Sequence, residues 1–193
     1  EVVGKALKGG WRQKAVVATK CGLVWEGTQG DHFFDSEEGI VEEDDNPNAK
    51  YHVYRYLNPK SIRCEVENSL RRLGVDVIDV MQTHWQETVT PIAETAGELL
   101  KLKKEGKIRA IGCSNATPEQ MDQYRQVAPR DVDQEKYSML DREMEETNLA
   151  YCAKNNVAFF AYSPLAQGLL TGKVGLDREF SNTDQRAGDP RFS

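Results

Sequence analysis

The feature that narrows the fold most is an alternation of hydrophobic periods repeated along the chain. "AVVATKCG" (15–22), "DVIDVMQTHW" (76–85), "IRAIGCSN" (108–115), "DVDQEKYSML" (131–140) and "VAFFAYSPL" (157–165) have strand character. Helical periods lie between them. "SIRCEVENSLRRLGV" (61–75) sets Ile62, Val66, Ser69, Leu70 and Leu73 on one face, and "PIAETAGELLKLKKEGK" (91–107) does so with Ile92, Ala96, Leu99, Leu100 and Lys103. The latter opens on Pro91 at a permissive first-turn position and stops at Gly106 behind a basic last turn. "TPEQMDQYRQVA" (117–128), with Thr117 as N-cap before Pro118, and "MEETNLAYCAKNN" (144–156) complete the set. The strands are apolar on both faces, as buried parallel strands are. Five successive βα steps therefore predict one parallel sheet with right-handed crossovers.

Two architectures satisfy this pattern, a doubly wound open sheet and a (β/α)8 barrel. The first calls for a G-x-G-x-x-G turn after an early strand, and "GLVWEG" (22–27) has the wrong spacing. The strand tips favour the barrel. Each carries a polar residue where an apolar one would otherwise stand: Lys20, His84, Ser114 with Asn115, Gln134, and Tyr162 with Ser163. In (β/α)8 barrels the active residues gather at the C-terminal ends of several strands. An ammonium such as that of Lys20, at the tip of a buried strand, also needs a partner to offset its desolvation.

Composition removes other classes. Hydrophobic residues make up 39% of the 193, enough for a core. The net charge of −6 argues against nucleic acid as a partner, which asks for clustered Lys and Arg. No run of about 18 apolar residues marks a membrane span, and "EVVGKALKGGWRQK" has helical spacing without a signal-peptide core. A cytoplasmic protein is expected. Cys21, Cys64, Cys113 and Cys152 are far apart and form neither a CxxC nor a Cys/His cluster, so free thiols and no metal site are expected. Residues 31–45, "DHFFDSEEGIVEEDD", hold eight carboxylates and no Lys or Arg; such a run reads as a solvated loop before it reads as a metal site. His32, His52, Tyr51, Tyr54 and Tyr56 read as residues of that loop region.

The tips, taken with the residues around them, resemble the aldo-keto reductases. "VVATKCG" is similar to the third strand of that family with its catalytic lysine, and "SIRCEVENSLRRLGVDVIDVMQTHW" to the helix and fourth strand that end in its catalytic histidine. "LLKLKKEGKIRAIGCSN" resembles the fifth strand with the Ser-Asn pair, "DVDQEKYSMLDRE" the sixth with its Gln, and "AYSPLAQGLLTGK" the seventh with its aromatic residue. The resemblance implies a (β/α)8 barrel of which this chain supplies the third to seventh strands, with residues 1–193 one domain incomplete at both ends. It implies an oxidoreductase that reduces aldehyde or ketone carbonyls by metal-independent hydride transfer from NADPH, with NADH possible. Lys20 would lower the pKa of a general-acid tyrosine, His84 orient the carbonyl, and Trp85 wall the substrate pocket. Ser114, Asn115 and Gln134 would hold the nicotinamide carboxamide and Tyr162 stack on its ring. Ser163, Pro164, Leu165, Gln167, Gly168 and Lys173 would border the pyrophosphate and ribose. The family's Asp and Tyr precede the third strand and are expected outside this chain. The acidic run, with Phe33 and Phe34, is expected to cover part of the pocket as a lid. A different class stays open at this point: a cofactor-binding redox-sensor or accessory barrel with little turnover.

Overall fold

A computed structural model describes residues 1–36, 51–175, 178–181 and 184–192. In chain order the elements are α1 (Val2–Ala6), β1 (Ala18–Cys21), β2 (Leu23–Val24), β3 (Asp31–Ser36), β4 (Tyr51–Arg55), α2 (Pro59–Leu73), β5 (Ile78–Thr83), α3 (Ile92–Lys104), β6 (Ile108–Ser114), α4 (Pro118–Arg125), β7 (Val132–Lys136), a π turn (Glu145–Leu149) running into α5 (Ala150–Asn155), and β8 (Ala158–Tyr162). The chain then continues in 3-10 turns. β1, β5, β6, β7 and β8 form a parallel sheet in that order, and each neighbouring pair after β1–β5 is joined by a crossover helix. All five predicted strands are present and share one direction.

The helices end where their sequences say they should. Asn58 caps α2, its side chain accepting from the Lys60 N–H at 3.0 Å, and Gly74 closes it in the left-handed region at φ 65°. Thr117 caps α4 in a reciprocal pair with Gln120. On α3 the buried face runs through Thr95, Ala96, Glu98, Leu99 and Leu102 rather than Lys103, whose ammonium reaches out to Asp131 at 3.0 Å. These faces close one core: Ile62, Val66, Ile78, Met81, Ala96, Leu99, Leu102, Ile108, Ile111 and Tyr124 are at most 1% exposed. Each such aliphatic or aromatic side chain contributes about 1.5–3 kcal/mol relative to exposure.

At the foot of the sheet, below the N-terminal ends of the strands, Asp79 ties three segments together. Its carboxylate accepts from the Val17 N–H at 2.8 Å and from Arg12 and Arg109 at 2.9 and 2.6 Å. Burial works to raise its pKa, but the Val17 N–H and the two guanidiniums outweigh it and hold the carboxyl below its usual range.

A second sheet was not expected. β2, β4 and β3 pair antiparallel in that order, so residues 31–36 and 51–55 are strands rather than loop. The reason is visible in "YHVYR", where β-favouring residues alternate and Val53 is buried. Residues 37–45 of the acidic run lie outside the described residues. Among the described residues no helix is long and apolar enough to cross a membrane, and Cys21, Cys64, Cys113 and Cys152 are free thiols.

Candidate functional site

Strand register assembles the site. Lys20 pairs with Gln82, Gln82 with Gly112, and Ser114 with Gln134. Because side chains alternate across a strand, Lys20, Gln82, Gly112, Ser114 and Gln134 share the face opposite Cys21, Thr83, Cys113 and Asp133. His84 follows β5 directly, and its N–H donates to the Cys21 carbonyl at 2.9 Å. Lys20 and His84 therefore sit on adjoining strand tips.

Both line a cavity of about 550 Å³ bounded by Thr19, Trp25, Glu65 and Arg72 among others. Burial lowers the pKa of the Lys20 ammonium. Burial, and then repulsion from Lys20, lowers that of His84, so the imidazole is neutral at pH 7. Glu65 of α2 reaches into the same cavity. It accepts from the Gly22 N–H at 2.9 Å and the Ser61 hydroxyl at 3.2 Å, yet burial pushes its carboxyl up to about 7. A raised folded-state value means stability is fully present below the ordinary carboxyl range and is lost as pH rises through 7. Glu65→Gln keeps an acceptor for Gly22 and removes the titration. Its denaturation midpoint should gain on the wild type from pH 5 to 8, by at most about 1.4 kcal/mol per pH unit; parallel curves would refute the assignment.

At the other tips the predicted residues form a connected network. Ser114 Oγ donates to the Gln134 carbonyl at 2.7 Å. Asn115, left-handed at φ 54°, gives its Nδ2 to the His84 carbonyl at 3.0 Å and to Ser114 Oγ at 3.1 Å. The Tyr162 hydroxyl donates to Asn115 Oδ1 at 3.0 Å. Gln134 accepts through Oε1 from Gln82 Nε2 at 3.2 Å, which leaves its NH2 as the donor at the mouth.

Gln82 was missed by sequence reasoning. It is 2% exposed, and its Oε1 has no hydrogen-bond partner among the described residues. Gly112 makes its room, since a methyl there would stand 2.6 Å from Gln82 Cγ. The signal lay in "VMQTH": a polar residue inside an apolar strand, two before His84.

The Trp85 ring lies tilted against that of Phe33 of β3, centroids 5.3 Å apart, and Asp31 accepts from the Thr88 N–H and hydroxyl at 2.9 Å each. The small sheet is thus fastened over the loop after His84, while Phe34 is exposed. After β8, Ser163, Ala166, Gln167 and Gly168 all have positive φ. Pro164 and Leu165 are exposed between them, and Lys173 stands exposed beyond, its N–H on Thr171 Oγ1. The turn closes on itself, the Ala166 and Gly168 N–H groups donating to the Ser163 and Leu165 carbonyls at 2.9 and 3.0 Å. A nicotinamide dinucleotide fits these groups: the NH2 of Gln134 and the hydroxyl and amide network of Ser114 and Asn115 at the tips, and a left-handed turn beside an exposed lysine. Among the described residues no group of three His, Cys, Asp or Glu could hold a metal ion.

Residues 1–190 match the model of the aldo/keto reductase family. The chain is 46% identical over 179 residues to the NADH-specific methylglyoxal reductase of Escherichia coli (strain K12), covering 91% of this chain and 51% of that protein. Among solved structures it is similar to a glycerol dehydrogenase from Gluconobacter oxydans, with a TM-score of 0.83 and 43% identity over 100% of this chain and 53% of that one. It also resembles an aldo/keto reductase from Klebsiella pneumoniae in complex with NADP and acetate, with a TM-score of 0.63 and 29% identity over 86% of this chain and 48% of that one. The chain spans about half the length of the relatives it matches.

Proposed function

The chain belongs to the aldo/keto reductase family, and on that premise we propose that it serves the reduction of small aldehydes or ketones by NADPH or NADH in the cytoplasm. A bound reduced nicotinamide would supply the hydride. Ser114, Asn115 and Gln134 present donors and acceptors for its carboxamide, and Tyr162, braced by Asn115, offers a ring face beside it. The turn from Ser163 to Gly168, with Pro164, Leu165 and Gln167 in it, and then Lys173, borders the phosphates. His84 holds a neutral imidazole toward the carbonyl oxygen and Trp85 walls the substrate. Lys20 places a positive charge where an alkoxide must be protonated, which brings a tyrosine of ordinary pKa about 10 closer to working pH. The proton donor itself is assigned to a residue outside positions 1–193.

The observation that carries this reading is the placing of Lys20 and His84 at adjoining tips of one parallel sheet, both lining one cavity, next to the Ser114–Asn115–Gln134 network. The two relatives named for a substrate act on methylglyoxal and glycerol, so short oxygenated carbonyls are the substrates to try first. With methylglyoxal or dihydroxyacetone, loss of absorbance from NADPH or NADH should depend on the carbonyl. Tight cofactor binding with no carbonyl-dependent turnover across a panel of aldehydes would favour a redox-sensing barrel instead.

A further inference from the structure

Directly after Asn115, both peptide groups of Ala116 are held from behind the sheet. The Ala116 N–H donates to Glu135 Oε1 at 3.0 Å, and its carbonyl accepts from Asn148 Nδ2 at 2.7 Å. Glu135 and Asn148 are each 4% exposed. Asn148 belongs to the π turn that precedes α5, and the same amide reaches Asp133 Oδ2 at 2.9 Å. A π turn in place of a regular one re-aims its side chains, and such turns recur at functional sites. Glu135 lies two residues beyond Asp133 on β7, so the two carboxyls share a face.

The pair cannot comfortably carry two charges. Asp133 is fully buried, with Cys113 Sγ at 3.4 Å and Cys152 Sγ at 3.7 Å as further weak donors. Burial pushes Glu135 up to about 8, and repulsion from Asp133 adds to it. The nearness of Asp133 favours the protonated form of Glu135, so the pair holds one proton at neutral pH. The other ionisable groups facing this cluster are the thiols of Cys113 and Cys152, the Tyr162 phenol on β8, and Arg130, whose charge is felt at Cys113. Both thiols and the phenol have raised pKa values, so they stay neutral where Glu135 titrates.

We propose that Glu135 and Asn148 are positioning residues for the cofactor site, holding Ala116 so that Asn115 keeps its left-handed conformation, and that a proton shared by Asp133 and Glu135 keeps this clamp closed. The inference rests on the reading of Asn115 as a carboxamide-binding residue. When Glu135 ionises it loses its link to Asp133; the Ala116 N–H still favours the carboxylate, but burial and repulsion from Asp133 favour its leaving this place, and the loop carrying Asn115 loosens. Cofactor affinity should therefore fall as pH rises.

The test is fluorescence titration of the intact protein with NADPH and, in parallel, NADH from pH 6 to 9.5. Wild-type affinity is expected to drop roughly fivefold to tenfold between pH 7 and 9. Glu135→Gln, whose amide donates to Asp133 while its carbonyl accepts from Ala116, should hold the neutral-pH affinity across the range. Asn148→Ala should bind more weakly at every pH. A second readout needs no cofactor: the Ala116 amide resonance should titrate near pH 8 in the wild type and not in E135Q. If the Ala116 resonance titrates but neither nucleotide binds, the reductase reading fails, and with it the clamp's role toward a cofactor. If a nucleotide binds with the same pH profile in both proteins and the resonance stays still, the clamp is wrong and the reductase reading stands.

Discussion

Lys20→Met is expected to lower kcat for carbonyl reduction by about 10²- to 10⁴-fold, the range associated with losing effective general-acid catalysis. The substitution keeps an unbranched stem and removes the charge. β1 pairs with β5 through backbone groups over Ala18–Cys21, so the sheet is not disturbed. None of the tip residues assigned to the carboxamide bonds to the Lys20 side chain: Ser114 and Asn115 are tied to Gln134, His84 and Tyr162, and Gln134 to Gln82. NADPH should therefore bind within a few-fold of the wild type while turnover collapses. The half-buried ammonium acts through a field that is stronger there than in water, because the cavity walls displace solvent. In the reverse direction, alcohol oxidation, raising the pH should recover part of the lost rate, because the tyrosine acts there as a base and without the Lys20 charge it gives up its proton only at higher pH. A variant whose kcat lay within threefold of the wild type would remove Lys20 from the mechanism.

Tyr124→Ala should cost about 3–5 kcal/mol of stability, as large-to-small changes of buried aromatics do. Tyr124 has no solvent exposure, and its ring carries the Arg130 guanidinium at 3.9 Å. Its hydroxyl donates to Gln86 Oε1 at 2.7 Å, and Gln86 in turn donates to Thr83. Truncation opens a cavity, strips the cation of its π partner and leaves Gln86 short of a donor. Arg130 has no hydrogen bonds from its guanidinium among the described residues, so the ring is its main compensation. Tyr124→Phe separates the contributions, keeping ring and cation together and losing only the hydroxyl, for about 1–3 kcal/mol. Urea denaturation at constant m-value measures both. A cost below 1 kcal/mol for the alanine variant would mean that the site collapses around the missing ring.

Much of this was legible in the sequence, for an identifiable physical reason. Buried parallel strands must be apolar on both faces, so Lys20, His84 and Gln134 stand out against their surroundings, and the caps at Thr117 and Gly106 follow from local rules. The antiparallel sheet escaped because "DHFFDS" is rich in charge and is parted from its partner "YHVYR" by the strongly acidic residues 37–50 rather than by a short turn. Pairing across that separation is a tertiary choice which local propensity does not reveal. Gln82, Glu65, Glu135 and Asn148 escaped for another reason. Their importance comes from what they touch: Gln134, the Gly22 amide, and the two peptide groups of Ala116. A glutamate two residues beyond an aspartate in a strand looks like a solvated charge until a helix layer is found to cover it.

The ionic knot at Asp79 lies at the opposite end of the sheet from Lys20 and His84. Of its three partners, Val17 and Arg12 belong to the segment leading into β1 and Arg109 to the start of β6, on either side of β5. Substitutions there change how much folded protein persists without altering what a strand tip presents to a ligand, and substitutions at the tips do the reverse. Selection on abundance and selection on chemistry can therefore act on different residues of the same strands, and a descendant of this sequence can change its substrate while keeping the footing it stands on.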